Sequence, residues 1–95
     1  MILQRITVHY QDGTLQEAIK LLKEGVVVKN ELRAVRFYVP KDVPDTTVGY
    51  FEFENESDIE KFWNDWGVAP ETVEWWKKYQ PLVVPEMLHE VLYPA

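Results

Sequence analysis

The two histidines are the residues of this chain best suited to acid–base or metal chemistry. His9 belongs to an alternating segment near the N-terminus, and His89 belongs to another near the C-terminus. If the two segments pair as antiparallel strands, the imidazoles lie nearly opposite each other, with Cβ atoms about 4.5–5.5 Å apart. With Glu90 or Glu52 nearby, they would bind a divalent metal or act as acid and base. The alternative, which we favour, leaves each histidine half-exposed near a strand end, because sequence alone does not establish strand register.

A second group of side chains could hold an anionic or carbonyl-bearing aromatic ligand. It combines two guanidinium groups, two phenols and a carboxylate, from Arg5, Arg36, Tyr38, Tyr50 and Glu52. Arginine binds carboxylate oxygens with paired hydrogen bonds, which suits such a ligand. The alternative, which we favour, is a subunit interface in which arginine pairs with glutamate across a twofold axis, because tyrosine and arginine are common at interfaces.

The tryptophans form a third group. We expect Trp63 and Trp66 in the core, because they share one face of an amphipathic helix. Adjacent residues on a helix point about 100° apart, so only one of Trp75 and Trp76 can face the core. Trp76 shares a face with Tyr79 and is assigned to the core. Trp75 is then the candidate to line a pocket or a subunit contact.

Several classes of function are opposed by the composition. The 95 residues include no cysteine, so disulfides and thiolate chemistry are excluded. The net charge of −6 opposes binding to nucleic acid. The chain has no phosphate-binding glycine loop, no nucleophile elbow and no zinc-ligand spacing, and we predict no metal and no cofactor. Without a signal-peptide pattern or an apolar run of the ~20 residues that span a bilayer, we expect a cytoplasmic protein that contacts no membrane.

The elements that would position these groups alternate between strands and helices within one domain, residues 1–95. Alternation of apolar and polar residues predicts strands over 2–10, 31–39, 48–54 and 87–93. Helical spacing predicts a first helix that begins at a Thr14–Glu17 capping box and ends at Gly25. It predicts a second helix over 56–66, capped by Asn55 and ended by Gly67. A short third helix should begin at Pro70, turn Val73 inward and end before Pro81. Residues 26–28 fit either a loop or a short edge strand, and we expect 82–85 to be irregular.

This order predicts an α+β, ferredoxin-like βαββαβ fold. Its four-stranded antiparallel sheet would have the order 4-1-3-2 with the helices on one face. We expect strands one and three to be parallel neighbours. The residues facing the helices would be Ile6, Val8, Val35, Phe37, Phe51 and Phe53. The opposite face would carry Arg5, Thr7, His9, Ala34, Arg36, Tyr38, Val48, Tyr50 and Glu52. So much aromatic surface is seldom left in water, which predicts a homodimer through this open face.

The order of elements, together with the run from Gly49 through Asn55 to Trp63, resembles the dimeric α+β barrel superfamily. In that superfamily an aromatic third strand leads into an acid-capped helix rich in phenylalanine and tryptophan. The resemblance implies two sheets that pack into a barrel, and a pocket in each subunit between sheet and helices. Members include cofactor-independent monooxygenases, haem-degrading enzymes and lactone isomerases. No catalytic set of a subfamily can be placed residue by residue on this chain.

Two functions remain open at this stage. The first is binding or conversion of a small hydrophobic or aromatic molecule, oriented by His9, Tyr38, Tyr50 and His89. The second is a non-catalytic protein whose open sheet serves only for self-association. A ligand-sensing domain and RNA binding through the sheet are weaker alternatives, the latter because of the acidic charge.

Overall fold

The computed structural model describes residues 1–24 and 35–95, and its four strands form one antiparallel sheet. The strands are β1 (Ile2–His9), β2 (Val35–Tyr38), β3 (Thr46–Phe53) and β4 (Leu88–Leu92). The helices are α1 (Leu15–Lys23), α2 (Glu56–Val68) and α3 (Pro70–Tyr79), and a 3-10 turn follows at Gln80–Leu82. The spatial order β2-β3-β1-β4 is the predicted one, and the fold is ferredoxin-like.

One expectation about strand direction was wrong. The expected parallel pairing of β1 and β3 is antiparallel instead, with Ile2 opposite Phe53 and His9 opposite Thr46. β3 also pairs antiparallel with β2, so β1 and β2 point the same way with β3 between them. The crossover through α1 therefore joins two strands that are not neighbours, and the following hairpin inserts β3 into the gap.

Alternation along the strands creates a covered face and an open face. On β1 the side chains of Ile2, Gln4, Ile6 and Val8 are buried, whereas the residues between them are half-buried. Because successive side chains point to opposite sides of a sheet, the register that leaves Leu3 on the open face places Ile2, Ile6 and Val8 under the helices. Burial of each such side chain is worth about 1.5–3 kcal/mol.

The core lies between the covered face and the helices, as predicted. Of the six residues expected to face the helices, four are buried and two are half-buried against the core: Ile6, Val8, Phe51 and Phe53, then Val35 and Phe37. α1 contributes Ala18, Leu21 and Leu22 to the same cluster. The parts of the expected second strand before residue 35, together with Gly25, Ala34 and residues 26–28, lie outside the described residues.

The expected helix caps were only partly right. Thr14 precedes α1, but its hydroxyl donates to the carbonyl of Gln11 at 2.7 Å, so the capping box with Glu17 does not form. α2 begins after Asn55 as predicted, whose side chain accepts a hydrogen bond from Ser57. Gly67 does not end α2.

α2 continues to Val68, and Ala69 is both its C-cap and the N-cap of α3. Pro70 begins α3 as predicted, because the first turn of a helix needs no intrahelical N–H bond. No helix within residues 1–24 and 35–95 combines the length and apolarity that a bilayer crossing requires.

The inward face of α3 differs from the expected one. Trp75 is 4% exposed, whereas Trp76 is 38% and Val73 is 44% exposed. Trp75 is inside because its indole N–H donates to the carbonyl of Leu21 at 2.9 Å and its ring stacks on Tyr79 at a centroid distance of 4.4 Å. Tyr79 belongs to both possible faces, so periodicity could not choose between the two tryptophans.

Candidate functional site

The two histidines do not meet. β4 pairs with β1 so that His89 lies opposite Ile6, and Leu88 lies opposite Thr7. His9 is on the open face, where its Nδ1 is 2.9 Å from the Thr46 hydroxyl, and His89 is on the covered face. The actual register differs from the expected one by an odd number of residues, which moves a side chain to the other face. The paired-histidine hypothesis is therefore wrong.

The other metal-ligating side chains of the described residues do not form a metal site either. Within the two described ranges, no three side chains of histidine, cysteine, aspartate or glutamate gather into a possible cation site. Neither Glu90 nor Glu52 stands beside two imidazoles, because Glu90 faces the open side opposite Arg5.

The open face gathers the second predicted group as the sequence indicated. A groove of about 620 Å³ is lined by Leu3, Arg5, Arg36, Tyr38, Pro40, Val48, Tyr50 and Glu52. The Tyr38 and Tyr50 rings meet edge to face at a centroid distance of 5.6 Å. Half-exposed aromatic rings and charged side chains thus share one continuous surface.

Among residues 1–24 and 35–95, only some of the charged groups on this groove have a charged partner. Arg5 Nε donates to Glu90 Oε1 at 2.8 Å, and this bond, followed by one to Tyr50, raises the pKa of Arg5. Sequence reasoning missed Glu90 as the partner of Arg5, because the pairing depends on the β1–β4 register. Arg36 and Glu52 form no ion pair with any side chain in the described parts of the chain.

A cavity of about 180 Å³ lies on the covered face, between the sheet and α2 and α3. Its lining comes from all four strands and all three helices: Ile6, Val8, Leu22, Phe37, Thr47, Gly49, Phe51, Trp63, Trp66, Trp75, Trp76, Tyr79, Met87 and His89. All four tryptophans of the chain are included. The surface facing the cavity is almost wholly apolar, and the exposed His89 and Trp76 lie at its rim.

Two of the predicted site residues line this cavity, namely His89 and Trp75, and the others lie on the open face. The resemblance implied a pocket between sheet and helices, but the residue signal for its wall is the tryptophan stripe of α2, which the sequence analysis assigned only to the core. Trp63 and Trp66 pack edge to face at 5.3 Å, and Trp66 packs on Trp75 at 5.8 Å. These rigid rings form one wall, since bulky aromatic side chains cannot collapse into a gap as flexible ones do.

Gly49 shapes the floor of the cavity. A Cβ at this position would lie 2.9 Å from a ring carbon of Phe51 and 3.1 Å from one of Phe37. The missing side chain lets both rings lie over the strand backbone, where they meet edge to face at 5.8 Å. Sequence reasoning treated Gly49 only as part of a strand.

A buried chain of hydroxyl groups lies at one end of the cavity. The Tyr10 hydroxyl is 2.6 Å from the Thr47 hydroxyl and 2.7 Å from the Tyr79 hydroxyl. Burial raises the pKa of Tyr10, and burial followed by the charge of Tyr10 raises the pKa of Tyr79 well above its usual range. Both phenols therefore stay protonated at neutral pH and remain hydrogen-bond donors.

Comparison with known proteins gives the fold a name. No protein-family model matches the sequence, and no curated protein sequence matches it. Solved structures do match over the whole chain. An uncharacterised NIPSNAP domain protein from Burkholderia xenovorans is 15% identical, with a TM-score of 0.83, over 100% of this chain and 95% of that one.

Two further structures support the assignment. A NIPSNAP family protein of unknown function from Agrobacterium tumefaciens is 15% identical over 100% of this chain and 88% of that one, with a TM-score of 0.86. A protein named antibiotic biosynthesis monooxygenase is 10% identical over 100% and 99%, with a TM-score of 0.76. The chain therefore has the ferredoxin-like fold that these structures share. At such identities the similarity concerns the fold alone.

Proposed function

We propose that the protein binds a small apolar molecule of about the size of one aromatic ring in the covered-face cavity. The observation that carries the proposal is a space of about 180 Å³ walled by four tryptophans. A cavity of about 150 Å³ with an apolar lining stays dry and accepts benzene. Drug-sized ligands need about 300 Å³ or more, so the occupant is smaller than most such ligands.

We further propose, from the resemblance to a protein named as an enzyme, that this protein converts the molecule it binds. One neighbour is named a monooxygenase, and any conversion of a bound ring that includes a proton transfer needs an acid or base beside the ring. His89 is the lining residue of the type most often used for proton transfer. On this proposal His89→Gln lowers turnover while ligand affinity is kept.

The binding experiment uses toluene as the probe. Tryptophan fluorescence of the wild-type protein should change on titration, because all four tryptophans line the cavity. Met87→Trp fills the cavity from its half-buried edge and should abolish binding, whereas Leu88→Trp, on the exposed open face, should not. Ligand-observed NMR compares the two variants without interference from the added indole. Equal toluene binding by both variants would place the ligand elsewhere.

Self-association through the open face is a second candidate function. It is supported by the groove of about 620 Å³ and by Tyr38, which is 51% exposed beside the half-buried Tyr50. The superfamily is typically dimeric. Two copies packed face to face would cover the aromatic rings of both, and a surface that carries both Arg36 and Glu52 can complement itself.

The association experiment compares two valines. Light scattering after size exclusion should give a dimer for the wild-type chain. Val48→Asp places a charge in the middle of the open face and should give a monomer. Val43→Asp introduces the same charge in the loop between β2 and β3, where Val43 is 45% exposed, and should remain dimeric. A wild-type monomer at high protein concentration would end this candidate.

A further inference from the structure

Within residues 1–24 and 35–95, the groove on the open face keeps an unpaired arginine and an unpaired glutamate. Arg5 is already paired, because its Nε and Nη2 lie 2.8 Å and 2.7 Å from the same oxygen of Glu90. Arg36 and Glu52 line the same groove. Neither of these two side chains forms a hydrogen bond or an ion pair in the described parts of the chain. The groove therefore offers two opposite charges to a ligand.

The strand register makes these two charged residues diagonal neighbours. Arg36 lies opposite Tyr50 on β3, and Glu52 follows Tyr50 by two residues on the same face of that strand. Diagonal neighbours on adjacent antiparallel strands are about 7–8 Å apart. Because both side chains are long, they can reach the carboxylate and the ammonium of one molecule that carries both groups on a single carbon atom.

An aromatic and apolar surface adjoins the two charges. Tyr38 follows Arg36 by two residues on the same face of β2, and its ring meets that of Tyr50 edge to face at 5.6 Å. Tyr38 is 51% exposed. Val48 lies opposite Tyr38, and Pro40 lines the same groove. A ligand ring can pack against this surface, because offset and edge-to-face contacts between aromatic rings are favourable.

The charges and the rings together indicate the chemistry of the ligand. We propose that the open-face groove binds an aromatic α-amino acid, whose carboxylate pairs with Arg36, whose ammonium pairs with Glu52 and whose ring packs on Tyr38. Arginine binds a carboxylate with two parallel N–H bonds. The groove volume of about 620 Å³ is in the range of small-molecule sites. This inference goes beyond both candidate functions, because it concerns neither the covered-face cavity nor a second copy of the chain.

A ligand with a single charge suits this groove less well. An anion would pair with Arg36 but would lie close to the carboxylate of Glu52, and like charges side by side are unfavourable. A cation would meet the same difficulty at Arg36. The net charge of −6 further opposes an anion. A zwitterion pairs with both side chains and adds no net charge to the protein.

Three ligands that share a phenyl ring test the inference on the full chain. L-Phenylalanine carries both charged groups, whereas 3-phenylpropionate lacks the ammonium and 2-phenylethylamine lacks the carboxylate. We expect each of these two analogues to bind about tenfold more weakly than L-phenylalanine, the effect of one charge-assisted hydrogen bond. Ligand-observed NMR gives all three dissociation constants under the same conditions.

Two variants test which side chain pairs with each charge of the ligand. Arg36→Gln should make L-phenylalanine and 2-phenylethylamine bind equally, because the carboxylate then has no cation to pair with. Glu52→Gln should make L-phenylalanine and 3-phenylpropionate bind equally for the corresponding reason. Lys61→Gln and Asp65→Asn, which each remove one charge of the exposed ion pair on α2, should leave all three affinities unchanged.

The outcomes are distinguishable from those of the two candidate functions. Failure of L-phenylalanine to bind the wild-type chain, or a tenfold preference that survives in the matching variant, overturns the inference and leaves the cavity and association proposals standing. Met87→Trp, which fills the covered-face cavity, should keep the binding of L-phenylalanine. Loss of binding in this variant would place the amino acid in that cavity and would overturn the open-face site.

Discussion

Two aromatic pairs on the same two strands show how differently the faces of this sheet are used. Phe37 and Phe51 meet edge to face at 5.8 Å on the covered side, and Tyr38 and Tyr50 meet in the same way at 5.6 Å on the open side. The local geometry of the two pairs is nearly identical. Their surroundings are not, because Phe51 is 3% exposed and Tyr38 is 51% exposed.

The comparison shows that the surroundings of a cross-strand aromatic pair are decided by whether a helix packs over that face of the sheet. Phe51 also packs against Trp63 of α2 at 5.2 Å, so its ring is enclosed by a second layer of the same protomer. Tyr38 lines the open groove, where no helix of the described residues covers it. The covered pair therefore contributes to the core and to the cavity wall, whereas the open pair stays accessible on the surface of the protomer.

Removal of one ring from each pair should give the largest contrast. Phe51→Ala should lower the free energy of unfolding by about 3–5 kcal/mol, because it removes a fully packed ring. Tyr38→Ala should cost less than about 1 kcal/mol, as expected for an exposed site. Urea denaturation of dilute protein measures both. Similar losses for the two variants would show that the open face is buried within the protomer.

The two glycines of β3 and α2 should respond with opposite signs. Gly49→Ala should destabilise the protein by about 1–3 kcal/mol, because its Cβ meets the rings of Phe37 and Phe51 at 2.9–3.1 Å. Gly67→Ala in α2 meets no atom within 4 Å and should stabilise by up to about 1 kcal/mol, since alanine favours helix. Thermal unfolding of both variants provides the measurement, and a neutral Gly49→Ala would mean that the rings have room to move.

Alkaline pH should destabilise the covered face through its buried phenols. The folded pKa of Tyr10 and Tyr79 is raised above 10.0, the ordinary value of an exposed phenol. The contribution of these protonated phenols to the free energy of unfolding is fully present below pH 10. It is lost as the pH rises further, because the tyrosines of the unfolded chain release their hydroxyl protons at a lower pH than those of the folded chain. Stability should fall by about 1.4 kcal/mol per pH unit for each such tyrosine.

Two variants test whether the buried phenols cause the loss of stability at alkaline pH. In denaturation series above pH 10, Tyr79→Phe should show a shallower fall than the wild-type chain, since one buried phenol is gone. Tyr38→Phe should show the wild-type slope. A slope that is the same in all three proteins would mean that the buried phenols do not control alkaline stability.

Charge reversal on the open face should have the smallest effect on protomer stability. Arg36→Glu and Glu52→Arg each leave two like charges near one another in a face-to-face dimer, so each should weaken association. The stability of the monomer should change by no more than about 0.5 kcal/mol. Combining both substitutions restores opposite charges and should restore the dimer, as sedimentation velocity would show. Unchanged association of both single variants would place the contact away from these side chains.

How much the sequence could predict depended on the range of the interaction. The alternation in β1 and β3 was enough to assign Ile6, Val8 and Phe51 to the covered face, because side-chain direction is a local property of a strand. The size and lining of the covered-face cavity could not be predicted from alternation along single strands. Its floor depends on the absence of a Cβ at Gly49, and its walls depend on aromatic rings from α2 and α3.

The sequence by itself determined the elements, their order and which side of each strand is apolar, since hydrophobic spacing acts over a few residues. The tertiary structure alone decided the β1–β4 register, which separates His9 from His89, and the rotation of α3, which buries Trp75 instead of Trp76. Both depend on contacts between distant parts of the chain, such as the hydrogen bond from Trp75 to Leu21. Several registers of a strand or rotations of a helix have nearly the same local energy, and only the packing of the whole core selects one of them.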